Sequence, residues 1–210
     1  MNVLSLYDYS AEMVKPWVDA GHDCWCIDIQ HPEMTEIKLS GLTLLSLEIV
    51  SLQKNWSESL LSLHNWDIIF AFPPCDSMAV SGAKHFKKKG LSAIINALEM
   101  VNAAKLICEN AGCPFMLENP VSTLSTYWRK PDHIFHPFQF GGYPGGENDG
   151  YTKRTCLWTG GGFVMPERKP IPRDPITSDR IHKAPPGPDR KNFRSQTPAG
   201  FANAVFLSNS

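Results

Sequence analysis

Cys75 comes directly after two prolines at the end of an apolar run, and Glu118, followed by Asn119 and Pro120, ends a second one. A thiolate is the strongest nucleophile among ordinary side chains and also leaves readily, which suits reversible covalent addition. A carboxyl at a strand end suits proton transfer. The run Trp66-Asp67-Ile68-Ile69-Phe70-Ala71-Phe72 reads as a buried strand, six of its seven residues being apolar, β-branched or aromatic. Pro73 and Pro74 offer no backbone N–H and cannot prolong a central strand. Cys75 is therefore turned out at the sheet's carboxyl edge, where open α/β sheets hold their ligands. The plainer readings are a buried, inert thiol for Cys75 and a capping or ion-paired acid for Glu118.

The elements that would carry these residues alternate in type. Val3–Tyr7 and Asp23–Ile29 read as strands, the second ending in Asp28, with a helical stretch over Ala11–Ala20 between them that stops at Gly21. Leu42–Val50 reads as a third strand, Asn55–Leu63 as a short helix and Ile68–Phe72 as the strand before Cys75. Leu91–Asn110 has the spacing of a long amphipathic helix with Ile94, Ile95, Leu98, Val101, Leu106 and Ile107 apolar, and Pro114–Leu117 is the strand that leads to Glu118. Such alternation predicts a mostly parallel sheet with helices on both faces.

From about residue 129 to 198 the texture is rich in proline, glycine, aromatic and basic residues, and 199–210 is an apolar return to the core over Gly200–Leu207, as helix or strand. Between Tyr151 and Arg194 there are ten Lys or Arg against four acids (Glu167, Asp174, Asp179 and Asp189), an excess hidden by the overall net charge of −1. Phosphate contact and a solvated loop explain it equally well. The whole 210 residues fit one domain. No leader is expected before Val3, and no run of apolar residues is expected to span a membrane, so the chain should be soluble and cytoplasmic. The six cysteines lack paired C-x₂-C spacing; they are expected to be reduced, with no metal, and Cys24 and Cys26 to share one face of a strand. His133 and His136 are more simply structural histidines than a metal pair, and Trp128 and Trp158 more simply anchors than base-stacking platforms.

Taken in order, these residues resemble the cytosine-C5 DNA methyltransferases, in particular short phage-type members. Pro73-Pro74-Cys75 resembles the nucleophile motif, with the segment from Asp76 to Gly82 as its catalytic loop. Glu118-Asn119-Pro120 resembles the Glu-Asn-Val motif, Lys153-Arg154 the arginine motif, and Asn203-Ala204-Val205 the Asn-Ser-Val motif near the cofactor. The resemblance implies a Rossmann-like methyltransferase fold with an irregular basic C-terminal extension, working in a bacterial or phage-infected host cytoplasm. It implies S-adenosylmethionine held by Tyr7, Asp28, Ile29, Pro73 and Asn203. It also implies catalysis by Cys75, Glu118 and Arg154, and DNA contacts by Ser77, Lys84, Lys87, Lys88 and Lys89, with Gly82 and Gly90 as hinges. Two departures stand out: the loop from Tyr7 to Glu12 has no glycine, and the arginine motif has Thr152 and Cys156 where a glutamine and a second arginine are usual.

In that chemistry a Cys75 thiolate adds to carbon 6 of cytosine and makes carbon 5 nucleophilic towards a sulfonium methyl. Glu118 handles N3 and the exocyclic amine, and Arg154 the O2 edge. The target base must be flipped out or single-stranded. Alkylation of a free pyrimidine nucleotide, a modified donor, or a non-catalytic DNA-binding relic remain open alternatives.

Overall fold

The computed structural model describes every residue except 33–36, 174–179, 184, 186, 188 and 189; Asp174, Asp179 and Asp189 of the basic region thus lie outside the described residues. Eight strands form one sheet: β1 (Asn2–Leu6), β2 (Asp23–Ile27), β3 (Ile37–Leu39), β4 (Leu42–Leu45), β5 (Ile68–Ala71), β6 (Phe115–Pro120), β7 (His133–Phe135) and β8 (Thr155–Gly160). Their spatial order is β3-β4-β2-β1-β5-β6-β8-β7. β1 pairs in parallel with both β2 and β5, and the parallel set extends to β4 on one side and β6 on the other. β8 enters antiparallel between β6 and β7, and β3 is an antiparallel edge on β4. The order reverses at the β1/β5 boundary, and a crevice at such a switch point is where doubly wound sheets bind.

Side-chain alternation divides the core into two layers. Leu4, Leu6, Ile69 and Leu117 face α2 (Ile49–Lys54) and α3 (Phe86–Asn110), meeting Ile49, Leu52, Ala97, Val101, Ala104 and Ile107. Val3, Cys24, Cys26, Ile68, Phe70 and Met116 face the other way, onto α1 (Lys15–Asp19) and the C-terminal helix Ala199–Asn209. Trp17 of α1 is wedged edge-on between Phe70 and Phe206, with ring centroids 5.2 and 5.1 Å away. Full burial of one such ring contributes roughly 2–3 kcal/mol.

Several elements differ from the sequence expectation. Leu42–Val50 is not a single strand: β4 ends at Leu45, and Glu48 caps α2 by accepting hydrogen bonds from Val50 N and Ser51 N. Ala11–Ala20 is helical only from Lys15, and Asn55–Leu63 forms two short 3₁₀ turns, Trp56–Glu58 and Leu60–Leu63. Ile95 of α3 is 54% exposed, because the buried stripe runs through Ala97, Val101, Ala104 and Cys108. The expectation of no membrane-length apolar stretch also fails. Val80–Asn110 is long and apolar enough by length and composition, because its apolar residues outweigh isolated polar ones such as Ser92 and Asn96 in the average. Its buried stripe packs on the sheet.

Among the described residues there are three further α-helices, α4 (Leu124–Tyr127), α5 (Arg180–Lys183) and α6 (Arg190–Ser195), making Ala199–Asn209 α7. Within the basic region, Arg168 donates to the Ile134 carbonyl, Lys169 lies over the Tyr143 ring and Arg173 over Phe138. Those three cations are folded down onto the protein. Trp128 and Trp158 stack on each other at 5.9 Å under Arg129, which makes them anchors. His133 lies in β7, and the ring of His136 stacks on Phe138. All six cysteines are free, and Cys24 and Cys26 are buried on one face of β2.

Candidate active site

The four residues of β5 are all buried, and the chain leaves the sheet at Phe72. Two successive prolines leave the Pro73 carbonyl without a ladder partner, and the side chain of Asn119, itself fully buried, donates to it at 3.0 Å. Cys75 then opens a tight turn in which its carbonyl accepts from Met78 N at 2.9 Å and Ala79 N at 2.8 Å. This turn is zipped to the segment after β6 by Val80 N to Val121 O and Thr123 N to Met78 O, each 3.0 Å. Lys89 closes it from α3, donating to the Asp76 carbonyl at 2.6 Å. Cys75 is the one cysteine of the six that is not buried.

Glu118 sits near the end of β6, on the sheet face that carries Met116. One carboxylate oxygen, Oε1, is withdrawn from solvent and has no hydrogen-bond partner. Burial therefore pushes the Glu118 carboxyl above the usual carboxylate range, and Lys153 pulls the other way. The Cys75 thiol is pushed up to about 11, by burial first, then by the charges of Glu118 and Asp76, with Lys153 opposing. Unpartnered buried polar groups are uncommon and call for an explanation such as catalysis or a missing ligand.

The recess over Glu118 is walled by Phe72, Phe135, Lys153 and Thr155 on the sheet side and by Ser195, Thr197, Pro198 and Phe201 on the helix side. Its free volume is about 10 Å³, room for at most a water molecule. The 195–198 segment closes it, and Gln196 ties that segment to Glu12 at 3.3 Å. A ligand larger than a water molecule can reach Glu118 only when this segment moves.

The cation at this recess is Lys153. Arg154, expected in that role, is exposed, and its charge acts on His136 and Cys156 instead. Strand parity is the reason. Lys153 continues the Thr155 and Leu157 face towards Glu118, whereas Arg154 continues the Cys156 and Trp158 face. A basic pair before a strand gives no sign of which member faces which way.

The residues expected at a cofactor gather at the ends of β1, β2 and β5, with one exception. Tyr7 packs against the α3 layer, and its hydroxyl donates to the Met100 carbonyl at 3.2 Å. Burial, then the charges of Glu48 and Asp28, raise its phenol. Asp28 is 6% exposed and accepts two hydrogen bonds from Gln30 on one oxygen, Oδ1. Ile29 beside it is 65% exposed, an uncovered apolar side chain at the carboxyl edge of the sheet. Pro73 is buried under the turn. Asn203 is the exception: its amide donates to Ala199 O within α7 and lies beside Gly145.

Sequence reasoning missed Asp8, which builds the glycine-free loop. Its buried carboxylate accepts from Ser5 Oγ at 2.8 Å, Ala11 N at 2.8 Å and Ser10 Oγ at 3.3 Å. Around it, Tyr7 and Ala11 adopt φ of 58° and 56°, the left-handed region usually left to glycine. The loop thus has a glycine-like path without glycine, at roughly 1–2 kcal/mol of strain per residue. Burial raises the Asp8 carboxyl against these hydrogen bonds. An acid three residues before a left-handed alanine was the available signal, and it is a weak one.

Among the DNA-contact candidates, Lys84, Lys87 and Lys88 are exposed, Lys89 is engaged with Asp76, and Ser77 lines a groove beside the turn. Gly90 interrupts α3 at φ 79°, ψ 178°, setting the lysine turn off from the rest of the helix.

The strand order, with one antiparallel strand inserted beside β6, is that of a Rossmann-like α/β fold. No protein-family model matches the chain, and no curated protein does either. Among solved structures the chain is similar to a prophage-encoded protein of E. coli described as a DNA modification methyltransferase, with 13% sequence identity and a TM-score of 0.44. The likeness covers 76% of this chain and 46% of that one, so this chain spans about half the length of the structure that it matches.

Proposed function

We propose that this protein transfers a methyl group from S-adenosylmethionine to carbon 5 of cytosine in DNA through a covalent adduct at Cys75. The observation that carries the reading is the pairing of a part-exposed thiol on a rigid turn with a carboxyl of which one oxygen, Oε1, is buried and lacks a partner, both at the carboxyl edge next to the switch point. The residues at the ends of β1 and β2 fit the cofactor. Asp28 suits the ribose hydroxyls, Tyr7 and the exposed Ile29 supply apolar contact, and Pro73 is the floor under the turn. When bound, S-adenosylmethionine supplies an electrophilic methyl on a sulfonium.

Cys75, once deprotonated, adds to carbon 6, and the electron pair of the 5,6 double bond becomes available at carbon 5. Glu118 in its protonated form donates to N3 as negative charge grows there, which its raised pKa favours. Lys153, in the same recess, stabilises that charge in the part expected of Arg154. After carbon 5 is methylated, water takes its proton, the sulfur–carbon 6 bond breaks, and Cys75 leaves with the electron pair. The exposed Lys84, Lys87 and Lys88 offer phosphate contacts beside the turn.

DNA carrying 5-fluorocytosine tests the reading, because fluorine cannot leave as a proton. A cofactor-dependent protein–DNA adduct is expected with the wild type and none with Cys75→Ala. Full methyl transfer by Cys75→Ala sinks the covalent route. Adducts on a free fluorinated nucleotide, with none on DNA, move the acceptor to nucleotides.

A further inference from the structure

A groove of about 200 Å³ opens on the other side of the Cys75 turn from the Glu118 recess. Ser77, Phe86, Lys89, Ile94, Thr123 and Tyr127 are among its walls. It is too small for a drug-sized ligand, for which ~300 Å³ is a lower bound, and of a size for one planar ring system. Tyr127 stands 63% exposed at its edge and Leu91 73% exposed nearby in sequence to Gly90, so the groove is bordered by uncovered apolar surface. Thr123 keeps its hydroxyl oxygen withdrawn from solvent with no hydrogen-bond partner. The apolar side chains of Phe86, Ala93 and Ile94, the ring of Tyr127 and one orphaned polar atom make a site for a heteroaromatic ring with a hydrogen-bonding edge.

The surroundings decide which ring. Lys84, Lys87 and Lys88 are exposed on the segment that leads into the groove, and Lys89 at its wall donates to the backbone carbonyl of Asp76. An apolar slot approached by three solvated cations complements a polyanion that carries aromatic rings, which is a nucleic acid strand. The wall residue Ser77 is two positions from Cys75, so the strand that presents cytosine to Cys75 passes the groove.

We infer that this groove binds the nucleobase next to the target cytosine, stacked on Tyr127 and held at its edge by the Thr123 hydroxyl. The inference rests on the DNA reading above and deepens it. A neighbouring base can enter only if it too is unstacked, so the substrate that fits is single-stranded or locally melted DNA rather than a duplex with one base flipped.

The test is fluorescence anisotropy with short single-stranded oligonucleotides holding one cytosine, with and without an abasic site at each neighbour of that cytosine. Wild type, Tyr127→Ala, Tyr127→Phe and Thr123→Val are compared, after circular dichroism has shown equal folding. Loss of one stacked base should weaken binding about tenfold. The expected pattern is that Tyr127→Ala loses about tenfold on the intact strand and nothing on the strand abasic at one neighbour, while Tyr127→Phe binds as wild type. Thr123→Val should change the preference among the four bases at that neighbour. A wild type that binds the intact strand, with Tyr127→Ala and Thr123→Val unchanged, overturns the groove and leaves the DNA reading standing. Tighter binding of the matching duplex than of the single strand overturns the substrate class. No binding of any DNA overturns both.

Discussion

The state of the Cys75 thiol before substrate arrives is the most direct consequence of the site. Its pKa stands at about 11 against an ordinary 9.0, so at neutral pH its thiolate is about a hundredfold scarcer than that of an exposed cysteine. Glu118 and Lys153 pull it in opposite directions. Glu118→Gln removes a negative charge and should lower the thiol pKa; Lys153→Ala removes a positive one and should raise it. Alkylation by iodoacetamide reads this without cofactor or DNA, and peptide mass spectrometry isolates the site because the other five thiols are buried. The wild-type rate should climb about tenfold per pH unit up to at least pH 10. At pH 9 Glu118→Gln should react several-fold faster than wild type and Lys153→Ala several-fold slower, while Arg154→Ala should change little. A wild-type midpoint near pH 9 that no variant shifts would refute the electrostatic account.

Three other outcomes follow from the same geometry. Burial holds Asp8 and Glu118 above the usual carboxylate range, so each binds its proton more tightly folded than unfolded. Their share of stability is full below about pH 4 and is lost as pH rises through their folded values; the urea midpoint should fall over that rise, and less so in Asp8→Asn. Gly200→Ala would bring a Cβ to 2.4 Å from the Phe140 carbonyl and 2.9 Å from Gly146 Cα, both backbone, so α7 must shift. A loss of about 3 kcal/mol by denaturant titration is expected, with faster Cys75 alkylation as the neighbouring Phe201 wall loosens. Ala11→Gly relieves a left-handed alanine but frees the unfolded chain, for a net gain of about 0.5 kcal/mol by the same titration.

The sheet was legible because its signal is periodic and local: Val3 to Leu6, Asp23 to Ile27 and Ile68 to Ala71 carry alternating or continuous apolar side chains bounded by turn residues. Pro73-Pro74-Cys75 was legible for a different reason, since two prolines forbid the ladder whatever surrounds them. What stayed hidden depends on tertiary register. Which of Lys153 and Arg154 faces Glu118 is set by where β8 joins β6, and a shift of one residue exchanges the two faces. The loop from Tyr7 to Ala11 lacks the glycines that announce such a path, because its strain is offset by the hydrogen bonds of Asp8. Glu48 ended one element and began another with a cap that reads, in sequence, as one more residue of an apolar stretch. The groove at Tyr127 is built from three separate segments, and no single one of them advertises it.

The closed recess over Glu118 also has a thermodynamic face. A site with about 10 Å³ of space is a site in its non-binding form, and a ligand measures only the open fraction of molecules. The apparent dissociation constant is then the intrinsic one divided by that fraction. Weakening the Gln196–Glu12 tie would enlarge the fraction and tighten binding without adding a single contact to the ligand. Selection for affinity can therefore act here on residues that never meet the substrate, through the population they release.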